Sequence, residues 1–390
     1  MHVALNAMQV RAAKSGVGQY IEGLVDGFLS VGGALQRQST HDLTVYCTGQ
    51  NQANYQRPGH IGYRTVVWGA SEGRRSLRLL REIFLLAPEI HQQGYDLFHG
   101  PSNFLPYGLR IPAVATIHDL SYYVEPERCP FLRRQYWYKM TRHTVDSARL
   151  LIADSDNTRI DLERFFPKCR GRIRVVPLGV HSRFRPKGSD ELPRHLQLTL
   201  GLNRTDGTAL PYILSVCTLE PGKNLDLLVQ AFETVAQSHP DIRLVLVGDR
   251  GWNFEPLLDQ VFRSSFRERI LIPGHLPDDD IVTLMQHCRV FAYPSRYEGF
   301  GLPPLEALAC GAPVIASTGG SLREVLAGLS GVVQVDPLDQ ERWNRTLLQE
   351  IEKASPQSDI ISQWSQGVKD RYDWRRTANE TARVWEEAAE

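Results

Sequence analysis

"RVFAYPSRYEGFGLPPLEALACGAPVIAST", residues 289–318, reads as a strand, a glycine-rich turn, a helix and a second strand. The runs around Phe291 and Val314 are apolar without alternation, as in strands covered on both faces. Between them "LPPLEALACG" places Pro303 and Pro304 in the first helical turn, where a missing N–H costs nothing. Glu298 stands before this turn and Glu306 about one helical turn inside it, so they are not an i, i+4 pair on one face. A glutamate on an exposed turn and another on a helix face can simply meet water. The surrounding chain has to decide between that reading and a site.

Working outward, the same alternation repeats. "YILSVCT", "IRLVLVG" and "RILIPGH" come before the quoted stretch and "GVVQVDP" after it, with helical patterns such as "LDLLVQAFETVAQSH" between. Before about residue 180, "HVALNAM", "LTVYCTG", "YRTVVWG", "DLFHG", "AVATIHD", "RLLIADS" and "IRVVPLG" form a second such series. Buried strands alternating with helices make an α/β chain with parallel, doubly wound sheets. A length of 390 residues exceeds the roughly 250–300 residues one core usually holds, so two domains are expected. The expected division is an N-terminal domain 1–185, a charged, Pro- and Gly-rich linker 186–209, a C-terminal domain 210–370 and a terminal helix 371–390 with Asp373 as its cap. Ligands of such domains sit beyond the carboxyl ends of the strands, which here means a cleft between the two sheets.

Lys plus Arg equals Asp plus Glu at 44 each, so the basic excess that binds nucleic acid is missing and no nucleic-acid partner is expected. Cys47, Cys129, Cys169, Cys217, Cys288 and Cys310 form no C-x-x-C pair, which fits neither a zinc site nor a disulfide framework and suits a reducing compartment. The start, "MHVALNAMQV", lacks a basic segment followed by a long apolar run, and no stretch approaches the roughly eighteen apolar residues of a membrane span. A cytoplasmic protein is expected, with a peripheral seat at the inner face of the cell membrane left open. That option rests on "FLRRQYWYKMTRH", residues 131–143, which reads either as an interfacial helix mixing aromatics with basic residues or as a core helix with a wet basic face.

Several residues could carry chemistry. Gly16 and Gly18 in "KSGVGQYIEGL" follow the first strand and lead into a helix, a turn that admits a ligand or is purely structural. The second strand ends "VYCTG" with no acidic residue for a ribose, which argues against a nicotinamide enzyme. "TIHDLSY" sets His118 and Asp119 at a strand's carboxyl end, a cleft position or a satisfied structural histidine. Asp154 and Asp156 in "ADSDNT" form a D-x-D pattern at a strand-to-helix junction, where helix capping accounts for them, and no protein-held metal is expected. Lys223 lies after a strand and before a helix that Asn224 could cap, so it either meets a phosphate or is solvated. Gly299 and Gly301 present amides at the start of the quoted helix, a natural seat for a diphosphate. Glu306 is then suited to ribose hydroxyls and Glu298 to hydroxyls of the group attached to the diphosphate.

These residues in this order resemble the retaining glycosyltransferases of the "glycosyl transferases group 1" type, whose GT-B fold has two facing Rossmann-like domains. The resemblance runs along nearly the whole chain through "SGVGQY", "TIHDLSY", "VVPLGV", "LSVCTLEPGKNLDLL", "LVLVGDRGW" and the quoted stretch. It implies that Glu298 contacts the donor sugar, that Gly299, Phe300, Gly301 and Leu302 cradle the diphosphate, and that Glu306 binds the ribose. Lys223 resembles the lysine that neutralises the leaving diphosphate, His118 the histidine near the reacting sugar, and Gly16 with Gly18 the loop closing on the donor. The family usually has a basic residue where this chain has Gly222, and often a glycine at Cys217. Losing one of two positive charges beside the diphosphate weakens catalysis unless Arg296 or Arg250 substitutes.

The activity implied is transfer of a hexose from a nucleotide diphosphate sugar to a hydroxyl of a glycan or lipid-linked glycan acceptor, with retention, without metal and with no cofactor beyond the sugar donor. "SGVGQY", "TIHDLSY" and "TLEPGKN" look most like mannosyl and rhamnosyl transferases of bacterial surface polysaccharides, lipopolysaccharide among them, and GDP-mannose is the first donor expected. Other readings of the same fold are a phosphorylase, a nucleotide-sugar hydrolase or epimerase, or a non-catalytic sugar-nucleotide-binding protein.

Overall fold

The computed structural model describes residues 1–10, 16–35, 41–68, 75–188 and 191–390. The chain divides into two compact units, Met1–Gly179 with Tyr372–Glu390, and Val180–Arg371. In the first, strands β1 (His2–Asn6), β2 (Asp42–Cys47), β3 (Tyr63–Val67), β4 (Leu97–Gly100), β5 (Ala113–Ile117), β6 (Leu150–Ala153) and β7 (Ile173–Val175) form one sheet in the order β3-β2-β1-β4-β5-β6-β7. All its pairings are parallel, with Val3 beside Leu43 on one flank and beside Leu97 on the other. The unbroken apolar runs follow from this, because strands such as β5 and β6 are buried along their whole length.

The terminal helix Trp374–Ala389 belongs to this first unit and starts on Asp373, whose carboxylate accepts the Arg375 N–H at 2.8 Å. It packs along the helix Gly16–Leu35, and glycines make the room for it. A Cβ on Gly23 would lie 2.1 Å from the Trp374 ring, one on Gly27 2.2 Å from the Trp374 carbonyl oxygen, and one on Gly179 2.3 Å from the Trp374 nitrogen. Trp385 is fully buried lower on the same helix, and its indole N–H donates to His99 Nδ1 at 3.2 Å. An aromatic side chain buried this completely contributes on the order of 2–3 kcal/mol.

The second unit repeats the scheme with β8 (Tyr212–Val216), β9 (Arg243–Val247), β10 (Ile270–Gly274), β11 (Val290–Tyr293), β12 (Val314–Ser317) and β13 (Val332–Val335), ordered β10-β9-β8-β11-β12-β13 and all parallel. Its core gathers around Phe232 of the helix Leu225–Ser238 and Trp343 of the helix Gln340–Glu352. In both sheets the strand order reverses beside the first strand, between β1 and β4 and between β8 and β11. Ligands of such folds bind outside the carboxyl ends of strands at that switch point.

Of residues 186–209, expected as a linker, the described ones, 186–188 and 191–209, belong to the second unit instead. They supply the helix Arg194–Thr199 and the buried leucines Leu192, Leu196, Leu200 and Leu202. The charged and proline-rich residues between these leucines hide the apolar spacing in the sequence, and the first unit's N-terminal stretch of chain ends at Gly179 rather than 185. Among the described residues, no helix is long and apolar enough to cross a membrane.

Candidate active site

Lys223 follows β8 and Glu298 follows β11, the two strands that flank the switch point of the second sheet. The Lys223 ammonium donates to Glu298 Oε1 at 2.6 Å and lies 3.5 Å from the Tyr293 hydroxyl, which itself donates to the same carboxylate oxygen at 3.0 Å. Burial works against the charge on Lys223, but Glu298 and then Tyr293 outweigh it and hold the ammonium well above its ordinary range. Burial likewise opposes ionisation of Glu298, and Lys223 with its hydrogen bond reverses that and keeps the carboxyl below its usual value. The pair is therefore a fixed ammonium and a fixed carboxylate, 17 % and 14 % exposed at the side chains and so still within reach of a ligand.

The loops after β8, β11, β12 and β13 hold this pair. Asn224 does not cap the following helix: at φ 57° it is in the left-handed region, whereas a capping side chain works from extended backbone. Its amide donates instead to the carbonyls of Pro294 and Pro337, and its oxygen accepts the Arg296 Nε–H at 2.9 Å. The Gly222 carbonyl accepts the Arg296 backbone N–H at 3.0 Å and the Ser295 hydroxyl at 3.2 Å. On the other side the Glu298 carbonyl accepts both the N–H and the hydroxyl of Ser321 at 3.0 Å. Gly320, at φ 59°, fits because a Cβ there would lie 2.4 Å from that same Glu298 carbonyl oxygen. Tyr293, Ser317, Gly320 and Ser321 were not singled out in the sequence. The "STGGS" run after a strand, residues 317–321, was the available signal.

The helix Leu302–Ala309 starts from Gly301 at φ 91°, a conformation that favours glycine, and a Cβ at Gly301 would strike Leu322 at 2.3 Å. Phe300 and Leu302 are buried beside it. Pro303 and Pro304 carry no N–H, so in the first four positions only Leu302 and Leu305 have one. Glu306 is 5 % exposed, and its carboxylate accepts no hydrogen bond among the described residues. Burial pushes it up to about 8, with Arg183 pulling downward and Asp278 upward.

Arg296 sits in this network, bonded to Asn224 and 4.0 Å from Asp226, rather than against the Lys223 and Glu298 side chains. The exposed Arg250 lies over the Phe254 ring at 5.5 Å and flanks the β8 loop through the backbone pairing of Leu219 with Arg250. Among the described residues no three His, Cys, Asp or Glu side chains converge closely enough to share a metal.

The first unit has a histidine–aspartate pair of its own. His118, after β5, is bonded not to Asp119 but to Asp154 after β6, Nδ1 to Oδ2 at 2.6 Å. Asp119 instead accepts the N–H and hydroxyl of Ser121. Capping explains Ser155, which accepts the Thr158 N–H at 3.1 Å, and Asp156 in the first turn, but it does not explain Asp154, which is only 2 % exposed. The edge of the Tyr20 ring lies against the His118 ring, 4.8 Å between centres. Behind them His99 receives the Trp385 indole proton on Nδ1 and so carries its own proton on Nε2, toward Thr116 Oγ1 at 2.9 Å. Burial keeps His99 neutral, down to about 3.

A Cβ on Gly16 would meet nothing within 4 Å among the described residues, whereas Gly18 is buried. Lys14 and Ser15 of the same motif lie outside the described residues. In the helix Phe131–Ser147, Tyr138 and Trp137 turn inward onto Tyr122 and Tyr123, and the exposed apolar residues are Phe131 and Leu132 at its start. Leu80, Phe84 and Leu85 of the helix Arg75–Gln93 are exposed as well.

The second of two parallel, nucleotide-fold sheets thus carries a lysine–glutamate pair and a glycine-started helix at its switch point. Residues 16–184 match Glycosyltransferase Family 4 and residues 207–364 match Glycosyl transferases group 1, between them most of the chain. The chain belongs to the group 1 glycosyltransferases with the GT-B fold. It is 36 % identical over 261 residues to O-antigen chain mannosyltransferase B of Escherichia coli, covering 66 % of each chain. It is 36 % identical over 250 residues to the serotype-specific mannosyltransferase WbdA of Escherichia coli, covering 59 % of this chain and 29 % of that one. The chain thus spans less than two thirds of the length of these curated relatives. Among solved structures, Anabaena Alr3699/HepE in complex with UDP and glucose superposes with a TM-score of 0.72 at 18 % identity, covering 98 % of this chain and 99 % of that one, a likeness of fold.

Proposed function

We propose that this chain transfers a hexose, first of all mannose from GDP-mannose, to a hydroxyl of a glycan or lipid-linked glycan in surface polysaccharide synthesis, retaining the anomeric configuration and without a protein-held metal. The observation that carries this reading is the buried Lys223–Glu298 pair at the switch point of the second sheet. The mannosyltransferase names of the two Escherichia coli relatives support the sugar, and UDP bound to the Anabaena protein supports a nucleotide donor of this type. Gly299, Phe300, Gly301 and Leu302 then cradle the diphosphate, Glu306 accepts from the ribose, Glu298 orients the sugar, and Gly16 and Gly18 are assigned to donor binding. Phe131 and Leu132, with Leu80, Phe84 and Leu85, are suited to a peripheral contact with the lipid of a lipid-linked acceptor.

In the reaction the bond between the anomeric carbon and the diphosphate oxygen breaks, and the diphosphate keeps the electron pair. The acceptor oxygen bonds to the same face of the sugar, and its proton passes to the leaving phosphate. Lys223, held charged, stabilises the negative charge that builds there, and preorganised charges of this kind dominate such catalysis. One observation favours a second reading, sugar-nucleotide binding without turnover: Gly222 stands where the family usually has a second basic residue.

The test is incubation with a panel of GDP- and UDP-sugars, with and without mannose-containing or lipid-linked acceptors, reading released nucleotide and extended product. GDP release with a product one sugar longer is expected. Binding without release across the panel would favour the second reading. A need for inorganic phosphate would point to a phosphorylase, nucleotide release without an extended product to a hydrolase, and a sugar changed without release to an epimerase.

A further inference from the structure

His118 spends every polar atom inside the protein. Its N–H donates to Asn103 Oδ1 at 2.9 Å, its carbonyl accepts the Thr158 hydroxyl at 3.3 Å, Nδ1 meets Asp154 and Nε2 meets the Pro101 carbonyl at 2.8 Å. Pro101 and Asn103 lie on the loop after β4, Asp154 on the loop after β6 and Thr158 in the first turn of the helix that follows it, while His118 itself follows β5. The β4 loop is under backbone strain at Asn103, a non-glycine residue at φ 57°, and the Asn103 side chain offsets it by binding the His118 N–H and donating to the Asp119 carbonyl at 3.2 Å.

We infer that His118 is a positioning residue rather than a base: its ring keeps a proton shared with Asp154 and clamps the three loops at the carboxyl edge of the first sheet. A carbonyl only accepts, so Nε2 carries hydrogen. Across from Nδ1, Asp154 has its other oxygen, Oδ1, buried without a donor among the described residues, so among these the carboxylate's compensation is the His118 ring. The 2.6 Å separation suits a charge-assisted bond. Neither ring nitrogen therefore offers a lone pair to an acceptor hydroxyl. The groups facing the ring agree with this. Burial opposes the charge on the ring and also raises the Asp154 carboxyl, but Asp154 and then Asp119 outweigh it at His118 and His118 pulls Asp154 back down, while Tyr20 and His99 beside it are neutral.

This inference rests on the transferase reading only for its meaning in catalysis, and its test does not depend on activity. The full chain is labelled with ring-15N histidine and followed by NMR from pH 6 to 9. The His118 signals are identified by their loss in His118→Asn or by cross-peaks to the Tyr20 ring. In the wild type both His118 nitrogens are expected to stay protonated above the ordinary histidine value of about 6.5. In Asp154→Asn, which preserves shape and removes the counter-charge, the ring is expected to titrate at least about one pH unit lower. If transferase activity is found, its pH profile in Asp154→Asn should shift with that titration, and Asp154→Glu should restore both. A neutral wild-type His118 with one bare nitrogen near pH 7, or an Asp154→Asn titration unchanged from wild type, would overturn the clamp whatever the enzyme's activity.

Discussion

His118 meets Asp154 in the first unit and Lys223 meets Glu298 in the second at the same 2.6 Å, yet the two pairs are set for different work. Asp154 is sealed in the interior, and His118 is bonded through all its polar atoms to neighbouring loops. Lys223 spends one strong bond on Glu298 and a 3.5 Å contact on Tyr293, so an ammonium with three donors keeps capacity for a phosphate. A buried ion pair is costly to form, so its retained bonding capacity, more than its length, separates a scaffold from a site.

The comparison can be broken or sharpened by experiment. The largest effect belongs to Lys223→Ala, which should lower turnover by about 10²- to 10³-fold, the cost of removing one charge-stabilising donor, and should also lower the melting temperature because Glu298 loses its counter-charge. Near wild-type turnover would show that the second pair is as structural as the first. Asp154→Ala should act on stability instead, by about 1–3 kcal/mol, since it strips a buried ring of its partner. Urea unfolding followed through tryptophan fluorescence reads this, and a loss of turnover with unchanged stability would assign Asp154 to the chemistry.

Gly27→Ala tests the frame that carries the first pair. Helix propensity alone would gain about 0.8–1 kcal/mol, but collision of the new Cβ with the Trp374 backbone should reverse the sign to a net loss of about 1–3 kcal/mol. The pH dependence of nucleotide binding separates the sites again. Glu306 is raised to about 8, so its carboxylate becomes available to ribose hydroxyls only as pH climbs through that value, and affinity should rise about tenfold across it. Calorimetric titration on either side of that pH checks this, and Glu306→Gln should remove the step. The stability term has the opposite sign. The contribution of Glu306 is fully present below the ordinary carboxyl value of about 4.3 and is lost as pH rises to about 8. Arg296→Ala should be mildest, a few-fold in donor affinity, equivalent to about 1 kcal/mol, because the guanidinium is partly exposed and bonded to Asn224. Unchanged affinity would leave Gly222 without a substitute charge.

Much of the frame was legible from local pattern. The runs around Val3, Val114, Val245 and Val314 could be read as strands because burial on both faces removes the polar alternation. Asp373 was legible as a cap, and Lys223, Glu298 and Glu306 stood out by their place beside strand ends and a helix start. Asp154 was misread because a serine and an aspartate at a helix start satisfy capping locally, and nothing local reveals that a histidine 36 residues away needs a counter-charge. Asn224 was misread for the same reason, since its left-handed backbone is set by loops from Pro294 and Pro337. The leucines of 186–209 were hidden among charges until their burial against the second unit showed them.

Residue type and periodicity by themselves determined the strands, the helices and the chemistry of the single residues, because backbone hydrogen bonding and side-chain burial repeat with periods that a sequence displays. Only the tertiary structure decided which carboxylate answers which cation. That choice follows from the strand order, which places β11 beside β8 and β6 beside β5 and so brings Glu298 to Lys223 and Asp154 to His118. Electrostatic partners are selected by distance in space and by loss of water, and neither quantity is written in the spacing along the chain.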